Sequence, residues 1–269
     1  MINYIDNKAY VEGVKLESID QVQQTPYYVY SQEKIATTYN NLQNILDSKI
    51  YFSVKANSNQ AIIRLMKNLG AGADVVSTGE LKRALKAGIS ASNIIFEGVG
   101  KSREDILFAI NSDIHIINIE SFEELERLNE ITNSLQKKIN IGIRLNPNID
   151  GKTIDKISTG KKTDKFGIDI NEIDNLANYI KLSSNLNLIG ISCHIGSQIF
   201  KINVFGNMFK AMKEAAQQFI DKGIKIKNID LGGGIGVQYK LNDKPVNLNL
   251  LIKEIDKYFI DSYYDIFFE

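Results

Sequence analysis

The sequence has little cysteine and no excess of charge of either sign. Its one cysteine, Cys193, excludes an internal disulfide and is typical of a reducing compartment. Lys and Arg together number 32, as do Asp and Glu, so the formal net charge is zero and offers no electrostatic basis for binding nucleic acid or a membrane surface. No apolar run is long enough to cross a bilayer, and the first residues do not resemble a signal peptide. We therefore expect a cytoplasmic protein with neither a membrane nor a nucleic-acid partner.

Short apolar runs alternate with amphipathic stretches from about residue 31 onwards. Eight runs occur, at residues 50–55, 72–77, 94–98, 114–119, 140–145, 188–194, 227–232 and 265–269. Their continuous apolarity is typical of strands buried on both faces, and the alternation with helices predicts a parallel sheet. Eight parallel strands favour an α/β fold of the (β/α)8 barrel type, with an open doubly wound sheet as the alternative.

Serines mark the predicted helix starts. Ser121 stands three residues before Glu124, the spacing of a capping box, in which each side chain bonds the other residue's backbone amide. Ser102 with Asp105, and Ser77 with Glu80, repeat the pattern.

Two segments depart from the alternation. Residues 1–26 form a separate arm, in which residues 10–16 suit an edge strand, and Thr25-Pro26 marks its junction with a barrel domain of residues 27–269. Residues 146–169 form a long polar loop after the fifth strand, and long loops inside compact domains are usually functional or disordered.

Polar residues fall at the carboxyl ends of the predicted strands, where barrels of this type place their active sites. Lys55 and His194 end the first and sixth strands, and Glu269 ends the eighth. Asp74 and Arg144 lie in the second and fifth strands, and a triplet of glycines, Gly232, Gly233 and Gly234, follows the seventh.

Each of these residues also has a purely structural interpretation. Lys55 could extend from its strand end to solvent, and His194 could be a core histidine. The glycines could form a tight turn, and Asp74 and Arg144 could form a structural ion pair. Convergence on one rim favours a functional site, because independent structural features need not share one end of a barrel.

Together the residues suit an anionic, aromatic cofactor that carries a carbonyl group. An amine forms a Schiff base, a glycine-rich turn offers backbone amides to a phosphate, an imidazole stacks on a ring, and a carboxylate pairs with a ring nitrogen. The pattern predicts pyridoxal phosphate, held by Lys55, and indicates no metal.

Eight stretches resemble the diaminopimelate decarboxylase family, within the alanine-racemase-like barrel class of pyridoxal-phosphate enzymes. They run in family order across nearly the whole chain: TPYYVYS (25–31), YFSVKANSN (51–59), GADVVSTGEL (72–81), FEGVGKS (96–102), IRLNPNID (143–150), ISTGKKTDKFGI (157–168), CHIGSQ (193–198) and IDLGGGIG (229–236).

The resemblance implies a role for each candidate residue. Lys55 matches the family's Schiff-base lysine, and His194 matches the histidine that stacks on the cofactor. Glu269 matches the glutamate that pairs with the pyridine nitrogen. Ser197 and Gly232 to Gly234 match the phosphate-binding elements, and Asp74 and Arg144 match polar residues that line the pocket.

The sequence departs from the family pattern in two places. Residues 154–156, Ile-Asp-Lys, replace the usual His-Pro-Tyr. After Glu269 the family continues with Pro-Gly-Arg and a β-rich second domain, to which the arm also belongs, and which carries a Cys-Glu motif that Cys193 does not match. We therefore expect a C-terminally truncated chain that is inactive alone.

The resemblance implies the decarboxylation of meso-diaminopimelate to L-lysine by a homodimer. A related ornithine, arginine or carboxynorspermidine decarboxylase is an alternative, since most substrate-specificity elements are expected beyond residue 269. A protein that only carries pyridoxal phosphate is another, although the arm argues against a free-standing barrel.

Overall fold

A computed structural model describes residues 2–150, 166–239, 244–260 and 262–269. The chain forms two compact units, Met1–Asn44 and Ile45–Glu269. The predicted domain boundary at residue 26, which rests on Thr25-Pro26 in the sequence, stays a prediction.

The first unit contains a small antiparallel sheet. Its strands are β1 (Ile2–Ile5), β2 (Lys8–Val11) and β3 (Val14–Lys15), followed by a one-turn helix α1 (Leu16–Ile19) and most of α2 (Gln32–Leu46). The prediction of one edge strand over residues 10–16 is wrong, because the chain reverses at Glu12 and Gly13, which both have positive φ. Two-residue turns with positive φ match the twist of the strands that they join.

The second unit alternates strands and helices along the chain. Its strands are β4 (Lys49–Ser53), β5 (Gly72–Val75), β6 (Ile94–Phe96), β7 (Ile116–Ile119), β8 (Ile139–Asn146), β9 (Ile168–Asp169), β10 (Leu186–Ser192), β11 (Asn228–Asp230) and β12 (Asp265–Phe268). Its helices are α3 (Gln60–Leu69), α4 (Thr78–Ala87), α5 (Arg103–Asn111), α6 (Phe122–Leu135), α7 (Ile173–Leu182), α8 (Ile202–Asp221) and α9 (Leu248–Phe259). No helix in the described part of the chain is long and apolar enough to span a membrane.

Eight parallel strands close into a ring. The order is β4-β5-β6-β7-β8-β10-β11-β12, and β12 returns to β4 through the pairs Phe267↔Lys49 and Phe268↔Ile50. The short β9 pairs only with the end of β8. The predicted (β/α)8 barrel is therefore confirmed, and the open sheet is wrong because its first and last strands would remain edges.

Apolar side chains fill the interior of the barrel. Tyr51, Ile95, Ile116 and Phe267 form one buried cluster, with the rings of Tyr51 and Phe267 centred 5.0 Å apart. They come from β4, β6, β7 and β12, which are not all neighbours, so they meet across the barrel rather than along one face. This apolar layer supports the polar residues nearer the carboxyl ends of the strands.

The predicted serine caps lie where three helices begin. The side chains of Ser77, Ser102 and Ser121 accept hydrogen bonds from the backbone amides of Glu80, Asp105 and Glu124. The reciprocal bond of a full capping box is found at Ser102, to which Asp105 bonds back. Glu124 instead bonds the amide of Glu120 and the amine of Lys101.

Candidate active site

The structure brings the predicted site residues to one end of the barrel. Lys55 lies in a 3₁₀ turn (Val54–Ala56) directly after β4, and His194 lies two residues beyond β10. Glu269 follows β12, and its amide donates to the carbonyl of Gly232 at 3.1 Å. The strands thus end one or two residues earlier than predicted. Lys55, His194 and Glu269 nevertheless line one small pocket, together with Glu97, Arg144, Ser192 and Cys193.

Lys55 pairs with a buried carboxylate. Its Nζ lies 3.5 Å from Oδ2 of Asp74, and the lysine side chain is 51% exposed whereas that of Asp74 is fully buried. Ser53 also donates to this oxygen, at 2.8 Å. Burial lowers the pKa of Lys55, but the negative charges of Asp74, Glu269 and Glu97 outweigh it, so the pKa is higher than usual. Asp74 therefore holds the charged amine of Lys55, which also lines the pocket.

Burial shifts the pKa values of Asp74 and His194 in opposite directions. It raises the pKa of Asp74 to about 6, against the opposing pull of Lys55. It lowers the pKa of His194 to about 3, with the positive charges of Arg144 and Lys55 acting in the same direction. The imidazole is thus neutral at pH 7, and its Nδ1 accepts from the amide of Gly233 at 3.4 Å. A neutral, flat ring beside Lys55 suits stacking on an aromatic cofactor.

The glycine triplet packs its backbone against the loop that carries His194 and Ser197. A Cβ on Gly234 would lie 1.9 Å from the carbonyl oxygen of Gly196, and Gly234 has a φ of +83°. A Cβ on Gly233 would lie 2.4 Å from the carbonyl oxygen of Glu269. Ser197 is exposed. The glycines let the two loops pack closely, and we call this close-packed turn the glycine cradle. The amides of Gly232 and Gly233 donate to Asp230 and His194, so the fit to a phosphate rests on the hydroxyl of Ser197 and on the room that the glycines leave.

Arg144 does not pair with Asp74. Its Nη1 lies 3.1 Å from Oε1 of Glu120 and 3.8 Å from Oε2 of Glu97, and its guanidinium carbon lies 5.1 Å from the centre of the Phe166 ring. The structural ion pair between Asp74 and Arg144 is therefore wrong, because each has nearer partners of opposite charge. Arg144 is held rigidly in the wall of the pocket.

The sequence interpretation missed two buried acids of the site, Glu97 and Asp230. Glu97 follows β6, and Asp230 is the last residue of β11. Glu97 was counted within the apolar run 94–98, and Asp230 within the run 227–232. A polar residue at the carboxyl end of a predicted strand is the signal that singled out Lys55, and it could have found both.

Glu97, Asp230 and Glu269 form an acidic cluster. One carboxylate oxygen from each lies within 4.8 Å of one oxygen of each of the others. Burial raises the pKa of Asp230 to about 8, and the charge of Glu97 adds to the rise. The pKa of Glu269 is raised by burial and by Asp74, Asp230 and Glu97. Such a cluster favours a cationic group at its open side, as a protonated pyridine nitrogen would be.

The residues present therefore fit pyridoxal phosphate. The donor set contains an amine for the aldehyde, the hydroxyl of Ser197 beside the glycine cradle for the phosphate, and acids for the ring nitrogen. The departure at residues 154–156 lies outside the described residues. Cys193 is buried and lies between pocket residues, and burial raises the pKa of its thiol, so it is not a reactive thiolate.

Comparisons with known proteins identify the family. Residues 32–269 match the family described as pyridoxal-dependent decarboxylase, pyridoxal binding domain. The diaminopimelate decarboxylase of Aquifex aeolicus is 41% identical over 258 residues, which are 94% of this chain and 61% of the relative. That of Pseudomonas aeruginosa is 39% identical, over 91% of this chain and 60% of the relative.

A solved structure has the same fold. Diaminopimelate decarboxylase from Helicobacter pylori, complexed with L-lysine, superposes with a TM-score of 0.89 at 38% identity, covering 94% of this chain and 65% of that one. The chain thus spans about three fifths of the length of the curated relatives that it matches. The family match implies pyridoxal phosphate as the cofactor, as the site residues do. The chain belongs to the pyridoxal-dependent decarboxylase family, of which it contains the pyridoxal-binding domain.

Proposed function

We propose that the protein is a pyridoxal-phosphate-dependent decarboxylase that converts meso-diaminopimelate to L-lysine and carbon dioxide. The observation that carries the proposal is the position of Lys55, whose amine lies 3.5 Å from the buried Asp74 in a pocket shared with His194 and Glu269. The relatives named above support this substrate, and the Helicobacter pylori relative is a complex with L-lysine.

When bound, pyridoxal phosphate supplies an aldehyde that captures amines and a ring that withdraws electrons from the bond that breaks. The residues proposed to hold it are Lys55 at the aldehyde, Ser197 with Gly232 to Gly234 at the phosphate, and Glu269 at the ring nitrogen. His194, which is neutral at pH 7, would stack on the ring and shield it from water.

Charged residues that line the pocket fix the positions of Lys55 and Arg144. Asp74 holds the Lys55 amine at the mouth of the pocket by a charge-assisted hydrogen bond. Lys55 is therefore placed to bind the cofactor and to move a proton at its own nitrogen. Arg144 is fixed by Glu120 and by the pocket acid Glu97, and these two contacts keep its charge in the wall of the pocket.

Labelling tests the site. Borohydride reduction in the presence of pyridoxal phosphate should attach the cofactor to Lys55, as read by peptide mass spectrometry. Lys55→Arg should abolish the label. Lys49→Arg, at the first residue of β4, should leave it intact. A label on another lysine would overturn the assignment of the site.

Substrate preference tests the reaction. The ratio of carbon dioxide released from different amino acids is the informative quantity, because it does not depend on the absolute rate. Release from meso-diaminopimelate should exceed release from L-ornithine and L-arginine. Preference for another amino acid would refute the substrate.

Homodimerisation and a cytoplasmic location are further proposals that rest on the resemblance.

A further inference from the structure

Glu97 is a buried acid of the pocket for which the proposed function gives no role. It is 3% exposed. Its Oε1 accepts hydrogen bonds from Asn118 and, at 3.0 Å, from Ser192. Its Oε2 lies 3.8 Å from Arg144 and has no hydrogen-bond partner among the described residues. Donors from two strands therefore meet one oxygen of this carboxyl group, and a guanidinium lies near the other.

Its charge acts on the rest of the site. Glu97 faces Glu269 and Asp230 within the acidic cluster and Arg144 across the pocket wall. It contributes to the pKa shifts of all three, and of Lys55 and Asp74. Arg144 compensates only part of this charge, because it lies closer to Glu120 than to Glu97.

The cluster cannot carry three full negative charges at such short range. Like charges at this separation favour protonation within the group, and the raised pKa of Asp230 reflects this. Glu97 has two hydrogen-bond donors on one oxygen and Arg144 near the other, and Asp230 accepts from the amide of Gly232 at 2.8 Å. No side chain of the described residues donates a hydrogen bond to Glu269, so Glu269 is also a natural site for a proton.

We propose that Glu97 is a positioning residue that acts through Glu269. The negative charge of Glu97 keeps a proton on Glu269 in the cofactor-free protein, and Glu269 passes that proton to the ring nitrogen when pyridoxal phosphate binds. The O–H bond of Glu269 breaks, an N–H bond forms on the ring, and the resulting ion pair is stabilised by the charge of Glu97. This inference rests on the proposed function, since it assumes that Glu269 faces the ring nitrogen.

The test follows the ring nitrogen directly. The holoprotein is prepared with ¹⁵N-labelled pyridoxal phosphate, and the ring-nitrogen chemical shift is recorded against pH. Glu97→Gln keeps a carbonyl acceptor for Asn118 and Ser192 but removes the charge. The midpoint of ring deprotonation should fall by about one pH unit or more, because a nearby negative charge stabilises the protonated ring.

Two further variants separate charge from contact. Glu97→Asp retains the charge and should keep the midpoint within a few tenths of the parent value. Glu120→Gln removes a charge that also pairs with Arg144 but lies outside the acidic cluster, and it should shift the midpoint much less than Glu97→Gln.

The outcomes distinguish this inference from the proposed function. A parent-like midpoint in Glu97→Gln overturns the inference, as do equal shifts in Glu97→Gln and Glu120→Gln, or equal shifts in Glu97→Asp and Glu97→Gln. The proposed function fails separately, if the cofactor does not attach to Lys55.

Discussion

Replacing Gly234 by alanine tests whether the glycine cradle is required by geometry. The residue has a φ of +83°, and an added Cβ would lie 1.9 Å from the carbonyl oxygen of Gly196. A left-handed conformation costs a residue with a Cβ about 1–2 kcal/mol. Forcing the opposite backbone to retreat adds about 1–3 kcal/mol, as overpacking does elsewhere.

Gly223→Ala is the matched control. Gly223 has a φ of +78°, close to that of Gly234, but an added Cβ would meet nothing within 4 Å. It lies between α8 and β11, at the end of the barrel opposite the pocket. The control therefore has the conformational penalty of about 1 kcal/mol without the clash.

Urea denaturation and a spectrophotometric titration with pyridoxal phosphate measure the two effects. Gly223→Ala should lose about 1 kcal/mol of unfolding free energy and bind the cofactor like the parent. Gly234→Ala should lose about 3 kcal/mol and bind at least about tenfold more weakly, because the backbone of Gly196 and Ser197 must move. Equal losses in both variants, with unchanged cofactor affinity, would refute the close approach of the two loops.

Two further predictions concern buried charges. Burial raises the pKa of Asp74 to about 6 and of Asp230 to about 8, above their unfolded values, so the stability that these acids contribute is complete below about pH 4 and is lost as the pH rises through 6 and 8. We expect the unfolding free energy of the cofactor-free protein to fall by on the order of a few kcal/mol across this pH range. Asp230→Asn should reduce the fall above pH 6. A melting temperature that is highest at pH 8 would contradict this. The buried amine of Lys101 bonds Glu124 at 2.7 Å and two backbone carbonyls, so Lys101→Met should destabilise the protein by about 3–5 kcal/mol in urea unfolding. Lys210→Met, at an exposed pair, should cost less than about 1 kcal/mol, and equal losses for the two variants would show that the buried pair contributes little.

The sequence by itself determined the alternation of strands and helices. Continuous apolar runs separated by capped amphipathic segments specify parallel strands joined by helices, and a count of eight favours a barrel, while the pairing of β12 with β4 is what closes it. The rule that parallel strands share one carboxyl end also predicts from the sequence that Lys55, His194 and Glu269 lie at one end of the barrel. These properties are encoded locally or by topology, so a single sequence carries them.

The tertiary structure alone decided which charges meet. Asp74 pairs with Lys55 rather than Arg144, because β4 and β5 are neighbours and place Ser53 opposite Asp74. Glu97 and Asp230 reach Glu269 from strands that are far apart in sequence, and their separation depends on barrel radius and side-chain direction. Periodicity fixes neither quantity, since it reports which face of a strand is apolar and not what lies across the barrel. The acidic cluster and its raised pKa values are therefore properties of the closed ring.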